Sequence, residues 1–439
     1  MPFVERTAQR ERRFKRVILL STGSVVAALI FASPTARDFL NLGMIRVREA
    51  AATRLIGLPP ERSAVEAEWA LRRRRGIEAT RRNLEHFYRS TTDEMRELFR
   101  VAGMDPEHGL IRYGRGDQAF LISSQVFELD DTGRSYRFRP NTRSVWLRQV
   151  TLIGGPFGLF QVLDTPRHRE AAARVGAIVD DRSVQHTNSW GLRGPEPDLS
   201  APVRGIVLGD SFMQAMFNGD DETPAIYLQR ELHAALGVPV TVVNTGHIGY
   251  SPEQYYYTLL AYGDRVRPSF VVVSVCPNDF GDGWAVLRGE GDWMEEAGYW
   301  LDRITQWCRS RTVLCLLVPV PTHIQIENSR RDAFYPGSVA NLFTAHASRY
   351  CEPSNEFMDE HLRLLRIARS EGRPAQRSEL YNREIDDDHF SPRGAALWGR
   401  IVARRLALLL PTPEQPRDPT GAELQAGPLT DRAAGGPPP

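Results

Sequence analysis

The stretch Gly205-Ile206-Val207-Leu208-Gly209-Asp210-Ser211-Phe212 joins a short apolar run to a glycine, an acidic residue and a serine. A continuous apolar run is typical of a strand that is buried on both faces of a parallel sheet. Gly209 and Asp210 then break the strand, and we interpret Asp210 as a turn and hydrogen-bonding residue. Ser211 falls where the chain turns into a helix, so its hydroxyl stands above a sheet edge and its N–H lies at a positive helix terminus. The stretch therefore predicts a nucleophilic serine at the end of a buried strand.

Three further polar blocks follow downstream, each at the end of a strand-like segment. The last block contains an acidic residue three positions before a histidine, a spacing that lets a carboxylate orient an imidazole base beside a serine. We therefore predict Asp386 as the orienting acid and His389 as the base, and we interpret Asp387 and Asp388 as solvated loop carboxylates. The three blocks are Asn244-Thr245-Gly246-His247-Ile248-Gly249, Pro277-Asn278-Asp279 and Asp386-Asp387-Asp388-His389-Phe390.

In this order the four blocks resemble the SGNH (GDSL-type) hydrolase superfamily of esterases and lipases, over roughly residues 188–410. The resemblance is to the membrane-anchored extracytoplasmic bacterial type. It implies that Ser211, Asp386 and His389 form the catalytic triad. It also implies an oxyanion hole made of the N–H groups of Ser211 and Gly249 and the side-chain amide of Asn278. The chain departs from the family pattern at Cys276, where the third block usually has a glycine.

Alternating strand-like and helix-like segments predict the fold of the C-terminal half. They indicate an α/β protein with a parallel sheet and helices on both faces. The resemblance implies that this is the SGNH hydrolase fold, a three-layer α/β/α flavodoxin-like sandwich. Active residues of such sheets collect beyond the carboxyl ends of the strands, where all four blocks fall. The predicted strands are 205–208, 240–243, 270–275 and 313–318, with a weak fifth near 357–358.

The N-terminus has the pattern of a membrane-targeting segment. Residues 1–16 form a basic flank, and residues 17–32 form an apolar run that follows it. Basic residues before an apolar run favour a cytoplasmic N-terminus with the remainder exported. We predict a transmembrane anchor or signal segment, with the anchor favoured. The catalytic domain is then extracytoplasmic (periplasmic) on a single-pass protein of the cell inner membrane.

Residues 33–187 predict a smaller helical plus β region. Leu84, Phe87, Tyr88, Met95, Leu98 and Phe99 follow helical spacing and indicate one apolar stripe that packs on the rest of the protein. Thr91 and Glu94 have the spacing of a capping box. The alternating residues 135–138 after a turn signal predict a β-hairpin. Residues 411–439 are rich in proline and glycine and predict a disordered tail.

Charge and motifs exclude several functional classes. The formal net charge is +1, which provides no electrostatic basis for binding nucleic acid. The sequence has no P-loop or dinucleotide fingerprint, so we expect no cofactor. Four cysteines lack zinc-site spacing, and we disfavour a metal site at 386–389 because no second ligand cluster accompanies it. A second-base role for His247 is likewise disfavoured.

The favoured function is a serine ester hydrolase that works through an acyl-enzyme, acting on O-acyl groups of envelope glycans or lipids. Two alternatives stay open. One is an O-acyltransferase that uses the same triad with an envelope protein partner, and the other is a catalytically silent envelope binding module. Asp282 and the aromatic residues at 284, 293, 299 and 300 follow the third block, and the aromatic residues fit a pocket wall, a hydrophobic lid or ordinary packing.

Overall fold

The structure is a computed structural model, and it describes residues 61–113, 119–130, 132–148, 160–280, 293–328, 335–336, 349–374, 377–385 and 387–411. The first part of the chain consists of helices and short antiparallel strands. In chain order these elements are α1 (Glu61–Ser90), α2 (Asp93–Val101), β1 (Leu110–Tyr113), β2 (Ala119–Ile122), β3 (Phe127–Asp130), β4 (Ser135–Phe138), β5 (Arg143–Arg148), β6 (Gln161–Leu163), α3 (Pro166–Arg174), β7 (Ile178–Val179) and β8 (Gln185–His186).

The predicted apolar stripe lies on two helices, because α1 ends at Ser90 and α2 begins at Asp93. The helix cap is Thr92, whose hydroxyl accepts a hydrogen bond from the Met95 N–H at 3.2 Å, so the prediction of a cap at Thr91 is wrong by one residue. The stripe does pack on the protein, as predicted. Its residues on both helices join one hydrophobic cluster with β5, β6 and α3.

The predicted hairpin is confirmed as the antiparallel pair β3–β4. Its aromatic residues Phe127, Tyr136 and Phe138 belong to the same buried cluster as the central strands of the C-terminal half. Side chains on both sides of the predicted domain boundary at 187/188 therefore share one hydrophobic core. The β3–β4 hairpin thus packs against the C-terminal half, whereas the helices α1 and α2 belong to a separate cluster.

The C-terminal half alternates strand and helix. Its elements are β9 (Val203–Leu208), α4 (Ser211–Gln214), α5 (Pro224–Leu236), β10 (Val240–Asn244), α6 (Pro252–Val266), β11 (Phe270–Val275), α7 (Trp293–Ser310), β12 (Leu314–Pro319), α8 (His323–Glu327), β13 (Arg349–Tyr350), α9 (Ser354–Ser370) and α10 (Pro392–Leu409). Five strands pair in parallel in the order β10-β9-β11-β12-β13. This is the flavodoxin-like strand order 2-1-3-4-5.

The sheet is covered by helices on both faces. All six residues of β11 are buried. Val271 and Val273 face a cluster with α6 and α7, whereas Phe270 and Val272 face a cluster with α5, α9 and α10. Alternate side chains of one strand point to opposite faces, so a strand that is apolar throughout requires a helix layer on each side. The described elements thus form the three-layer α/β/α arrangement.

The fifth strand is not where the sequence predicts it. The edge strand is β13, and Phe357 lies instead in α9, fully buried. Phe357, His361, Leu364 and Ala368 are the buried residues of α9, and their spacings of four, three and four are those of one helix face. The short apolar pair at 357–358 was therefore part of a helical pattern.

No helix within the described residues is long and apolar enough to cross a membrane. The predicted anchor at 17–32 and the predicted tail after residue 411 both lie outside the described residues.

We predict that Gly205→Ala destabilises the protein by about 1–3 kcal/mol. Gly205 pairs with Phe270 across β9 and β11, and an added Cβ would lie 2.1 Å from a carbon of the Phe270 ring. The ring is held in the core, so it has little room to move. The free energy of unfolding in urea measures this effect. Gly219→Ala is the matched control, because its backbone φ of −67° suits alanine and its nearest neighbour is a flexible glutamate. Equal stability of both variants would contradict the prediction.

Candidate active site

The turn after β9 positions the serine. Asp210 caps the short helix α4 by accepting a hydrogen bond from the Phe212 N–H at 3.0 Å, which confirms its predicted turn role. A side chain on Gly209 would collide with Met213, since an added Cβ would lie 2.3 Å from its Cγ. Ala215 adopts a left-handed conformation and ends α4 after one turn. Ser211 is thereby held at the carboxyl end of a central strand.

His389 lies beside this serine. Its Nε2 is 2.7 Å from the Ser211 Oγ, a hydrogen-bonding distance between residues 178 positions apart. The loop that carries His389 is anchored on both sides. Tyr381 and Phe390 form an isolated antiparallel bridge, and the Ser391 hydroxyl caps α10. The ring itself packs against Phe212, with the ring centroids 4.8 Å apart.

The carboxylate on the other ring nitrogen is that of Asp387. Its Oδ1 and Oδ2 lie 3.0 and 3.2 Å from the His389 Nδ1, and Oδ1 also accepts from the His389 backbone N–H at 2.9 Å. The prediction that Asp387 is a solvated carboxylate is therefore wrong. Asp386, predicted for this place from its spacing, lies outside the described residues. Asp388 points elsewhere, because it accepts a hydrogen bond from Arg383 at 2.6 Å and its side chain is 59% exposed.

The electrostatics of the pair match this geometry. Burial by itself lowers the pKa of His389, but the charge and hydrogen bond of Asp387, together with smaller contributions from Asp210 and Asp388, raise that pKa above its usual value. Burial raises the pKa of Asp387, and the neighbouring His389 outweighs it in turn and lowers that pKa. Asp387 thus stays ionised while His389 titrates. A base that accepts the Ser211 proton must be neutral, so the site becomes competent as the pH rises through the raised pKa of His389.

Gly249, one of the predicted oxyanion donors, has the left-handed φ of 65° that favours glycine. An added Cβ would also lie 2.5 Å from a guanidinium nitrogen of Arg112, so a larger residue there would require Arg112 to shift. Arg112 is 2% exposed and lies over the rings of Phe120 and Tyr136, each at 4.6 Å. A buried arginine of the N-terminal region therefore contacts the loop that carries Gly249.

Two tyrosines hold this loop against the β3–β4 hairpin. The Tyr136 hydroxyl donates to the Ile248 carbonyl, and the Tyr250 hydroxyl donates to the Tyr136 carbonyl. Sequence reasoning missed Arg112 and Tyr136, which lie more than 100 positions before the loop and carry no motif. The alternation at 135–138 marked the hairpin that carries Tyr136, but nothing in the sequence marked Arg112.

His247 is part of the same packing. Its ring stacks on Phe138 at 4.1 Å and on Tyr250 at 4.6 Å between centroids. Burial, and then the nearby Arg112 cation, lower the pKa of His247 well below its usual value. A ring enclosed in this way serves packing, which agrees with the sequence-based preference against a second base. Histidines in loops are often exposed at the surface, but His247 is buried.

Asn278, the third predicted oxyanion donor, lies in a 3₁₀ turn at Pro277–Phe280 directly after β11. The thiol of Cys276 contacts the Asn278 Oδ1 and lies 2.8 Å from the Asp210 Oδ2. Asp279 braces the turn, because its carboxylate accepts from the Cys276 N–H at 2.8 Å and from the Tyr255 hydroxyl at 2.9 Å. Cys276 therefore joins the serine turn to the Asn278 turn, where the family pattern has a glycine. With Oδ1 engaged by the thiol, the Asn278 amide NH₂ is the end left to face an oxyanion.

One aromatic residue that the sequence placed in a pocket wall or in ordinary packing, Trp300, is buried in the core. Trp300 is 1% exposed and lies in α7 against Tyr256 and Tyr257, with centroid distances of 5.8 and 5.5 Å.

Together these residues form a candidate serine-nucleophile site at the carboxyl edge of a parallel sheet, with His389 on the serine, Asp387 on the other ring nitrogen, and Gly249 and Asn278 on neighbouring turns. No protein-family model matches the chain, and no curated protein matches it. Several solved structures are similar to a little under half of the chain.

A lipase/acylhydrolase from Enterococcus faecalis is 17% identical, with a TM-score of 0.35, over 48% of this chain and 100% of that one. An acetyl xylan esterase, AlAXEase, is 18% identical, with a TM-score of 0.35, over 47% and 99%. The structure of TesA is 16% identical, with a TM-score of 0.34, over 47% and 99%. Likenesses of this degree assign no activity to this protein.

We predict that Asp387→Asn slows phosphonylation of Ser211 by a fluorophosphonate probe by on the order of 10³- to 10⁴-fold. It also moves the acidic limb of the pH profile to lower pH. Without the Asp387 charge, burial lowers the pKa of His389, so the ring becomes neutral at a lower pH. Asp388→Asn is the matched control and shifts the profile much less, because the Asp388 charge contributes least to the raised pKa of His389. Asp386→Asn tests the sequence prediction directly, and a loss larger than that of Asp387→Asn would reverse the assignment.

We predict that Cys276→Ala lowers the rate of the same labelling by about tenfold, the upper range for one lost hydrogen bond. Cys276→Ser, which keeps a donor at this position, restores most of the rate. Cys351→Ser is the control, since Cys351 is also a free, buried cysteine but lies by β13. Identical labelling by Cys276→Ala and the unmodified protein would show that the thiol does not orient Asn278.

Proposed function

We propose that this protein is a serine ester hydrolase of the SGNH type that works through an acyl-enzyme. One observation carries the proposal. The Ser211 Oγ, the His389 ring and the Asp387 carboxylate form a continuous chain of contacts at 2.7 and 3.0 Å. A serine hydroxyl is a poor nucleophile until a base accepts its proton, and this geometry supplies that base in a fixed orientation.

The first half of the reaction forms the acyl-enzyme. The Ser211 Oγ attacks the ester carbonyl carbon while the His389 Nε2 takes the hydroxyl proton, and Asp387 stabilises the imidazolium that results. The negative oxygen of the tetrahedral intermediate accepts hydrogen bonds from the N–H groups of Ser211 and Gly249 and from the Asn278 amide. The C–O bond to the leaving alcohol then breaks, and His389 returns the proton to the alcohol oxygen.

The second half releases the acid. His389 takes a proton from a water molecule, whose oxygen attacks the acyl carbon and forms a second tetrahedral intermediate in the same oxyanion site. Its collapse breaks the bond to Ser211, and the proton on His389 passes to the Ser211 Oγ. The products are a carboxylic acid and the alcohol, and the site returns to its starting state. The same acyl-enzyme could be captured by a sugar hydroxyl in place of water, so product analysis distinguishes hydrolysis from acyl transfer.

We expect the protein to hydrolyse p-nitrophenyl acetate and Ser211→Ala to abolish that turnover. Asn278→Ala lowers kcat by on the order of 100- to 1000-fold, with a much smaller change in KM, because the amide acts on the charge of the intermediate. Gln306→Ala is the control, since Gln306 is an exposed residue of α7 that hydrogen-bonds only within its own helix in the contacts of the described residues. Equal turnover by Ser211→Ala would refute the proposal. A protein that the fluorophosphonate fails to label at Ser211 would instead be the silent binding module.

We also propose that the enzyme acts outside the cytoplasm, held by its N-terminal segment. The basic flank at 1–16 and the apolar run at 17–32 support this placement. A fusion after Leu410 to a reporter that is active only outside the cytoplasm tests it. Signal from that fusion supports export, and signal only from a cytoplasmic reporter overturns it. N-terminal sequencing of the mature protein distinguishes an anchor from a cleaved signal segment.

A further inference from the structure

The loop that carries Gly249 is a four-residue turn, and one peptide of this turn sets the direction of the Gly249 N–H. The turn is closed by the Tyr250 N–H, which donates to the His247 carbonyl at 3.1 Å. Of its two central residues, Ile248 and Gly249, only the second has a positive φ, as in a type II turn. In a type I turn the peptide between them is rotated by about 150–170°, so its N–H points the other way. An oxyanion donor at Gly249 therefore requires that the turn type be held.

Two buried side chains hold Ile248, one on its N–H and one on its carbonyl. The Tyr136 hydroxyl donates to the Ile248 carbonyl, and the Gln214 Oε1 accepts from the Ile248 N–H at 2.7 Å. The Ile248 carbonyl and the Gly249 N–H belong to one trans peptide and point in opposite directions. A carbonyl fixed on Tyr136 thus keeps the Gly249 N–H directed away from the β3–β4 hairpin. Rotation of this peptide would break a buried hydrogen bond, which is costly because water cannot replace it.

Gln214 lies at the end of the serine helix α4, and a buried arginine fixes its backbone there. The chain leaves α4 through Ala215 and Phe217, whose φ values of 58° and 64° are strained for residues other than glycine. The guanidinium of Arg193, which is 3% exposed, donates to the Gln214 carbonyl. It also donates to the carbonyls of Ala215 and Asn218 at 2.5 and 2.6 Å. Arg193 therefore stabilises the strained end of the helix from which the Gln214 side chain reaches Ile248.

The side chain of Gln214 joins the serine helix to the N-terminal region. Its oxygen accepts from a backbone N–H, so its NH₂ group faces the other way. There it donates to the Gln161 Oε1 of β6 at 3.3 Å, and the Gln161 NH₂ group in turn donates to the Ser144 hydroxyl of β5 at 2.9 Å. Gln161 and Gln214 are both fully buried. Residues of the N-terminal region thus hold the Gln214 amide in the orientation that binds Ile248.

We propose that Gln214 and Tyr136 are positioning residues that keep the turn 247–250 in its type II form and so direct the Gly249 N–H at the oxyanion. The inference rests on the proposed esterase function. It makes the N-terminal region part of the active site, through Tyr136 of the hairpin and through Gln161, which acts on Gln214. Neither positioning residue touches the reacting atoms, because both act through the peptide that ends at the Gly249 N–H.

The first test separates positioning of the oxyanion donor from an effect on the triad. Tyr136→Phe and Gln214→Met keep the approximate size of each side chain but remove its hydrogen bond to Ile248. Each should lower kcat for p-nitrophenyl acetate by about tenfold, and both together by on the order of 100-fold, as for a lost oxyanion donor. KM should change far less. The acidic limb of the pH profile should stay in place, because Asp387 and His389 are unchanged.

A trifluoromethyl ketone provides a second measurement on the same variants. The Ser211 Oγ adds to its carbonyl carbon, His389 takes the serine proton, and the carbonyl oxygen becomes an oxyanion that needs the same donors. The inhibition constant should therefore rise by about the factor by which kcat/KM falls. Every kcat is expressed per serine that the fluorophosphonate labels once labelling is complete, so unfolded protein is not counted.

Tyr262→Phe is the matched control. The Tyr262 hydroxyl also donates to a backbone carbonyl, that of Trp190 at 3.1 Å, within the hydrophobic cluster that contains Tyr136. This variant loses a buried hydrogen bond of the same kind but keeps both bonds to Ile248. It should lower the free energy of unfolding, as Tyr136→Phe does, and leave kcat and the inhibition constant unchanged.

Two further variants test the role of Gln214 itself. Gln214→Glu keeps an oxygen for the Ile248 N–H and should restore most of the kcat that Gln214→Met loses. Gln161→Met should lower kcat in the otherwise unmodified protein but have little further effect in Gln214→Met, because Gln161 acts through Gln214.

Four results would overturn the inference. These are a kcat of Tyr136→Phe and Gln214→Met equal to that of Tyr262→Phe, an acidic limb that moves with the loss of rate, an inhibition constant that stays constant while kcat falls, and fully additive losses for Gln161→Met and Gln214→Met. Failure of the esterase function itself looks different. In that case the unmodified protein does not hydrolyse p-nitrophenyl acetate and Ser211 is not labelled, whatever residues stand at 136 and 214.

Discussion

Burial of the central sheet on both faces is the constraint on which the site depends. Strand β11 is buried at every residue, and its alternate side chains enter two different hydrophobic clusters. Such a strand is stable only between two helix layers, and helical crossovers make its neighbours parallel. Parallel strands have their carboxyl ends at one edge. The turns with Ser211, Gly249 and Asn278 therefore meet there without any of them being adjacent in sequence.

The N-terminal region takes part in this arrangement. Tyr136 and Tyr250 exchange hydrogen bonds between the β3–β4 hairpin and the loop of Gly249, and Arg112 fills the space that a side chain on Gly249 would need. The loop is thus held from outside the sheet. Preorganised donors are effective in catalysis because they need no reorganisation when charge develops, and packing of this kind restricts such motion. The hairpin is accordingly a support for the proposed oxyanion site.

Local patterns predicted the elements well where a signal was both local and chemically distinct. The serine turn, four of the five strands and the β3–β4 hairpin follow from apolar runs, glycines and turn residues. Prediction failed where two patterns overlapped. The apolar pair at 357–358 is typical of a short strand when it is considered alone. Its spacing of four residues to His361, followed by three residues to Leu364, is that of a helix face. Either of the adjacent threonines Thr91 and Thr92 could cap the N-terminus of α2. The helix begins at Asp93, so Thr92 is the cap.

The sequence by itself singled out Ser211 and His389, because both stand in distinctive blocks at predictable strand ends, and the structure places their side chains 2.7 Å apart. The sequence could not decide which aspartate serves His389, since three consecutive carboxylates differ only in the direction that the loop gives them. Tertiary structure placed Asp387 on Nδ1 and turned Asp388 towards Arg383. It also decided the support around the site, from Cys276 between Asp210 and Asn278 to Arg112 against Gly249. Those contacts join residues far apart in the chain, and they exist only after the sheet and its two helix layers have packed.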